Sequence, residues 1–286
     1  MMTNSLPFLI LVILSLLILG FLMMTNRDQA GKIVVFWLFI SGLAYVFEFL
    51  IFILGGSYEY DPAILSNHYN DSVLGSISSQ AFSVPVSLTV IAVKRLKLGW
   101  ILLIIAFFYL VESWFVSVGI YEHYWWKSIY TSIFLLLGAY LSKSWWTRMS
   151  EPALGKVHFI TLYFSLSVLT LSISWILSPL LDLYNIPMPL FSDGMRNTIT
   201  GNSIYSWVCN YLYTVTIFYR PNSKGAFWVT VLILIILDYG LIHFTFLDVR
   251  GISGAFTLPL FHITMLILGN KLFAWYVHPL KKTAEH

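Results

Sequence analysis

Nine apolar stretches succeed one another along the chain, each close to the ~20 residues that a bilayer-spanning helix needs. To within a few residues at each end they run over 6–24, 33–54, 71–93, 100–120, 126–141, 158–178, 197–217, 227–247 and 253–271. The fifth is cleanly apolar only over 129–141, and the third and seventh are the most polar. The connections are short and leave no room for a separate soluble domain. The pattern predicts an all-α, polytopic membrane helix bundle of about nine transmembrane helices, with residues 1–286 forming a single integral membrane domain.

Composition narrows the class further. Of 286 residues, 58% are hydrophobic and 10% charged, against roughly 25% charged in an ordinary soluble domain. With a mean hydropathy of +0.81, there is too little polar surface to cover a water-soluble globule. Cytosolic enzymes, nucleic-acid binders and disordered chains are excluded. The lone Cys209 excludes an intrachain disulfide scaffold. The first stretch reads as a retained helix rather than a signal peptide. It lacks a positive n-region, its apolar run is too long for an h-region, and no small-x-small cleavage site follows.

Lysine and arginine set the expected orientation. One set of alternate loops holds Arg27, Lys32, Lys94, Arg95, Lys97, Lys143, Arg148, Lys156, Arg220 and Lys224, and the C-terminal segment adds Lys271, Lys281 and Lys282. Only Lys127, Arg196 and Arg250 fall on the other side, so thirteen of sixteen basic residues share one face. By the positive-inside rule that face is cytoplasmic. The N-terminus is then outside and the C-terminus inside. Acids gather in the outer loops, among them Glu59, Asp61, Glu122, Asp182 and Asp248. They read as solvating charge, or more sharply as a weak collector of cations.

Laying the chain on itself at an offset of 126 aligns Tyr58 with Tyr184, Gly75 with Gly201, Lys94 with Arg220, Glu112 with Asp238 and Glu122 with Asp248. In the third stretch Ser76, Gln80, Ser83 and Ser87 recur at helical spacing and form a polar stripe. Their counterparts Asn202, Ser206, Cys209 and Tyr213 form another on the seventh. This predicts an extra N-terminal helix (1–32) followed by two tandem four-helix repeats, 33–148 and 156–276. A four-span repeat keeps its orientation, so the halves would be related about the membrane normal, as in parallel-repeat transporters.

Three acids fall inside apolar stretches: Glu48, Glu112 and Asp238. Each costs about 2.5–3.5 kcal/mol to insert at a helix centre. Counted along the helix, Glu112 and Asp238 would lie roughly 14 Å from the outer end. Gln80 would lie at a similar level, and His262 would meet the level of Asp238 from the next helix. These five residues, with Ser76, Ser83, Ser87, Asn202, Ser206 and Tyr213 as polar lining, make a candidate substrate or proton pathway between the two halves. A carboxyl group forced into low dielectric takes up and releases protons near neutral pH, as proton relays require. The structural alternative is that these groups hydrogen-bond across helices and hold the bundle together. Pro85 and Pro259 can kink their helices. The aromatic segment YEHYWW at Tyr121–Trp126 reads mainly as an interfacial anchor, with a ligand cage as the other reading.

No signature of an intramembrane protease, prenyl transferase, ATP-binding loop, metal site or retinal Schiff base is present. No cofactor is expected, and the expected partners are the lipid bilayer and a small-molecule or ion substrate. The stretch SYEYDP at 57–62, LGSISSQAFSVPV at 74–86 and VESWFVSVGIYEHYWW at 111–126 resembles a family of small multi-pass membrane proteins of Bacillus-type Gram-positive bacteria. In that family a glutamate-bearing helix runs into a glycine–aromatic–tryptophan turn. The resemblance covers about residues 33–148. It implies a class and a cell type but no activity, and the second half departs from it, with Asp238 for the glutamate and no tryptophans in 246–250. Three readings follow: a proton-coupled transporter or permease of a small solute; a non-transporting assembly, sensory or lipid-interacting subunit with structural acids; and, third, a membrane-embedded enzyme.

Overall fold

The computed structural model describes residues 4–151 and 154–284, with side chains through residue 277. Lys281 and Lys282 of the charge pattern lie outside the described side chains. Among the described residues there are nine helices, one for each apolar stretch. They are α1 (Ser5–Thr25), α2 (Arg27–Leu54), α3 (His68–Val93), α4 (Leu98–Ser117), α5 (Ser128–Arg148), α6 (Lys156–Leu180), α7 (Gly194–Tyr219), α8 (Lys224–His243) and α9 (Gly251–Ala284). Seven of them, all but α5 and α7, are long and apolar enough to cross a membrane. At 21 and 26 residues, α5 and α7 would reach about 32 and 39 Å, so polarity rather than length sets them apart. On α7 that polarity is internal: Asn210 donates to Tyr163 O at 2.8 Å and to Ser167 Oγ at 2.9 Å.

Large apolar side chains stand exposed along the helices, as on Leu110 (67%) and Ile236 (61%). A water-soluble monomer does not tolerate such continuous faces; lipid tails do. The chain is a helical, multi-pass membrane protein.

It forms two compact units, Met1–Val157 and His158–His286. In the first unit α3 lies at the centre, contacted by α1, α2 and α5, while α4 packs on α5. Helices α2 and α3 each contain a π-helical turn, at Phe49–Leu54 and Ser78–Ser83. The second of these precedes Pro85, whose missing N–H already interrupts the α-helical ladder. Between α2 and α3 the chain makes a short strand, β1 (Tyr58–Tyr60), which pairs antiparallel with β2 (Tyr121–His123), the link from α4 to α5. In the second unit α7 is contacted by α6, α8 and α9, and β3 (Tyr184–Asn185) pairs with β4 (Asp248–Val249).

The internal construction of the two units is alike in detail. Helices α3 and α4 begin and end 126 residues before α7 and α8. The α-helical part of α2, from Ala30, and its π-helical end at Leu54 stand in the same relation to α6. Tyr58 opposes His123 and Tyr184 opposes Val249, the same register. Asn67 and Asp193 cap the N-termini of α3 and α7, accepting from the amides of Asn70 and Arg196. Asp71 Oδ1 accepts from the amides of Ile64 and Leu65, and Asn197 Oδ1 from those of Leu190 and Phe191. Gly75 and Gly201 meet equivalent neighbours: a Cβ there would lie 2.6 Å from Tyr60 Cβ and 1.9 Å from Ile186 O.

Helix ends correct one expectation. Helices α4 and α8 stop at Ser117 and His243, short of the predicted 120 and 247. Left-handed residues at equivalent positions, Gly119 (φ +74°) and Thr245 (φ +59°), turn the chain toward β2 and β4. Glu112 and Asp238 therefore stand five residues from a helix end, about 8 Å by helical rise, rather than roughly 14 Å.

Candidate functional site

In the first unit a cavity of about 420 Å³ lies among α1–α5 and the β1–β2 ladder. Its walls are mainly aliphatic and aromatic. Phe8 and Leu11 of α1 close one side, Ile40 and Phe47 of α2 another, and Leu88, Phe108 and Leu135 the remainder. Such a volume is in the usual range for small-molecule sites, as is an apolar wall bearing a few polar groups.

Those polar groups come from the helices near the β1–β2 ladder and from the two strands themselves. Glu112 of α4 lies on the wall, and His123 Nε2 of β2 is 2.9 Å from its Oε1. Tyr58, Tyr60 and Tyr121 bring three rings to the same end, with Tyr60 and Tyr121 stacked at 4.4 Å between centroids. The Tyr58 hydroxyl donates to Glu48 Oε2 at 2.5 Å, and Ser76 and Gln80 lie near the same carboxyl group. Burial, with the nearby acids adding to it, pushes the phenols of Tyr58 and Tyr121 well above their ordinary range, so they remain donors. Trp126 completes the aromatic end, edge-on to Tyr58 at 5.8 Å.

The second unit answers its acid differently. Asp238 of α8 accepts from the Tyr205 hydroxyl at 2.6 Å and lies 2.8 Å from His262 Nε2. The other imidazole nitrogen of His262 is 2.5 Å from the Tyr213 hydroxyl. Beside this chain, Ser206 donates to Ser174, which bonds Tyr184 at 3.0 Å. All of these side chains are buried, with His262, Tyr213 and Ser206 at 0% exposure.

The expected site residues thus separate into two clusters, each inside its own unit. Gln80, Ser83 and Glu112 line the cavity, and Glu48 and Ser76 lie behind Tyr58. Ser87 is half-buried on α3 and off the cavity wall. Asp238, His262 and Tyr213 join one hydrogen-bonded chain, Ser206 belongs to its neighbour, and Asn202 is buried nearby in the same helix. The serine stripe of α3 is largely turned onto its own helix: Ser76 donates to Val73 O and Ser83 to Ser78 O. The YEHYWW segment divides. Tyr121 and Trp126 face the cavity, whereas Tyr124 is exposed and bonds Glu59, and Trp125 donates to Gly55 O.

Tyr60, His123 and Tyr205 carry no sequence signal for these positions. Glu112 and His123 are eleven residues apart, and they meet not along one helix but because the chain turns back at Gly119 between α4 and β2. Tyr205 lies next to the stripe residue Ser206 and stands 126 residues after Ser79, the offset that aligns the two units.

Among the described residues, no group of three or more His, Cys, Asp or Glu side chains is placed to hold a metal ion. A multi-pass helical membrane protein with a solute-sized cavity in its first unit is the class these features define. Comparison with known proteins finds no matching family model, no similar curated protein and no similar solved structure.

Proposed function

We propose that this chain is a nine-crossing bacterial plasma-membrane protein that binds a small solute in the cavity of its first unit and passes it across the membrane. The proposed orientation is N-terminus outside, which the placement of thirteen of sixteen basic residues on one set of loops supports. Helices α5 and α7 are counted as crossings because much of their polarity is met within the protein, as by Asn210 on α7 and by Thr131 and Lys143 on α5, which lowers the cost of placing them in lipid. The two units are taken as tandem copies after an extra helix, α1. The shared boundaries, strand register, capping pattern and glycine contacts at a constant offset support that reading.

The observation that carries the proposal is Glu112 on the wall of an apolar cavity. An acid kept there at a cost in insertion energy is available to a proton or a solute, whereas Asp238 is consumed by Tyr205 and His262. Comparison of equivalent positions gives a reason. Ser79 and Gly138, both on the cavity wall, correspond to Tyr205 and Thr264, and Leu136 corresponds to His262. Larger side chains occupy the second unit where the first is open. One copy works on a solute and the other is a scaffold.

The test uses a Cys209→Ser, Ser83→Cys protein in proteoliposomes and a charged, membrane-impermeant thiol reagent added from either side. A permease exposes residue 83 to both sides in turn, so labelling from each side is expected. Labelling from one side only would replace transport by a binding or sensory role. Labelling from neither would make the acids of both units structural.

A further inference from the structure

We infer that the first-unit cavity is a site for a lipophilic organic cation: an apolar body of drug-like size carrying one ammonium or similar charge, seated between Glu112 and the rings of Tyr58, Tyr121 and Trp126. This rests on the solute-binding reading above and names the ligand class for it. Three independent features agree. The cavity wall is overwhelmingly apolar, so most of the ligand must be apolar as well. Among the described residues the one carboxyl group on that wall is that of Glu112, and no lysine or arginine lines it. An anion would therefore meet a like charge in a low-dielectric space, while a cation would find its counter-charge.

The third feature is the aromatic end. Tyr58, Tyr60, Tyr121 and Trp126 converge there with centroid separations of 4.4–5.8 Å. Aromatic rings attract a cation through their faces, and desolvated cages of this type recognise quaternary ammonium groups. The hydroxyl of Tyr58 is already spent on Glu48, so this residue offers its ring rather than a donor. His123 approaches one oxygen of Glu112 only, which leaves the second oxygen for a ligand. In the second unit the equivalents of Tyr60, Tyr121 and Trp126 are Ile186, Leu247 and Ile252, so the aromatic cage belongs to the first unit.

The experiment measures equilibrium binding to the purified, detergent-solubilised full chain by tryptophan fluorescence and calorimetry, with three probes of one shape. They are phenylbutyl-trimethylammonium, its uncharged tert-butyl isostere, and phenylbutyl sulfonate. The cation should bind at least tenfold tighter than the neutral isostere, and the sulfonate should be weakest. Glu112→Gln should cost the cation at least tenfold and leave the neutral isostere unchanged, and Glu122→Gln in strand β2 should change neither. Ser79→Tyr, which installs the second unit's side chain at this position, should abolish binding of all probes in a protein that still elutes as a folded species. Equal affinity for cation and neutral probe, or equal loss of both in Glu112→Gln, would overturn the ligand class while leaving a solute site. If no probe of any charge binds the wild type, the solute-binding reading itself fails.

Discussion

Replacing Asp238 by alanine removes the acceptor shared by two buried donors. Tyr205 loses a 2.6 Å bond and His262 a 2.8 Å partner, and His262 is also the link to Tyr213. Interhelical hydrogen bonds in membranes are worth about 0.6 kcal/mol on average and up to about 1.7, because the inserted but unassembled helices also find partners. Both bonds here are short and end in full burial, so the upper figure applies, and two of them give about 3 kcal/mol, or roughly 150-fold in the unfolding equilibrium. Tyr205→Phe removes one bond and should cost about 1.5 kcal/mol. Since Asp238→Ala already deletes that bond, the double variant should be less destabilised than the sum by about 1 kcal/mol or more. Steric trapping or reversible unfolding in mixed micelles measures these differences. An Asp238→Ala cost below about 0.5 kcal/mol, or an additive pair, would refute the assignment of this acid to scaffolding. Glu112→Gln, read in the same assay, should cost under about 1 kcal/mol because the isosteric amide keeps a hydrogen-bonding group beside His123.

Other consequences can be checked separately. Gly201→Ala should destabilise by about 1–3 kcal/mol, because the new methyl would sit 1.9 Å from the Ile186 carbonyl oxygen, whereas Gly240→Ala, with nothing within 4 Å, should melt no lower than wild type. Asp71→Ala should release the amides of Ala63, Ile64 and Leu65 and speed their hydrogen exchange. Asp71→Asn should keep the amides of Ile64 and Leu65 protected, as Asn197 does for Leu190 and Phe191, but expose that of Ala63, whose equivalent Pro189 has no N–H to satisfy. In intact cells, Ser66→Cys should react with an impermeant maleimide and Lys97→Cys should not, each in a Cys209→Ser background; the opposite pattern would reverse the proposed orientation.

Much of the architecture is legible along the chain because a bilayer imposes it locally. Twenty apolar residues make a helix whatever its neighbours, so every predicted stretch meets a helix. The helix ends were less legible. The apolar run continues past Ser117 and His243, and only the left-handed turns at Gly119 and Thr245 stop α4 and α8 there. The polar stripe of α3 illustrates a different limit. Its spacing is that of a helix face, but a serine in a helix satisfies itself on the carbonyl three or four residues back, as Ser76 does. A stripe of hydroxyls is thus compatible with a site and with none. A carboxylate has no such local outlet, and that is why Glu48, Glu112 and Asp238 were the more informative residues.

From its sequence alone this protein is a membrane-embedded helical chain with buried acids and a recurring offset, because hydropathy, charge placement and periodicity are one-dimensional properties. Which acid faces a cavity and which is locked to tyrosine and histidine is a property of three-dimensional packing. Glu112 and Asp238 occupy equivalent places on equivalent helices. Their surroundings differ because Ser79 and Gly138 leave space where Tyr205 and Thr264 take it, and because His123 comes from a strand while His262 comes from a helix. Such differences arise from side chains far apart in the chain, and only the folded unit brings them together.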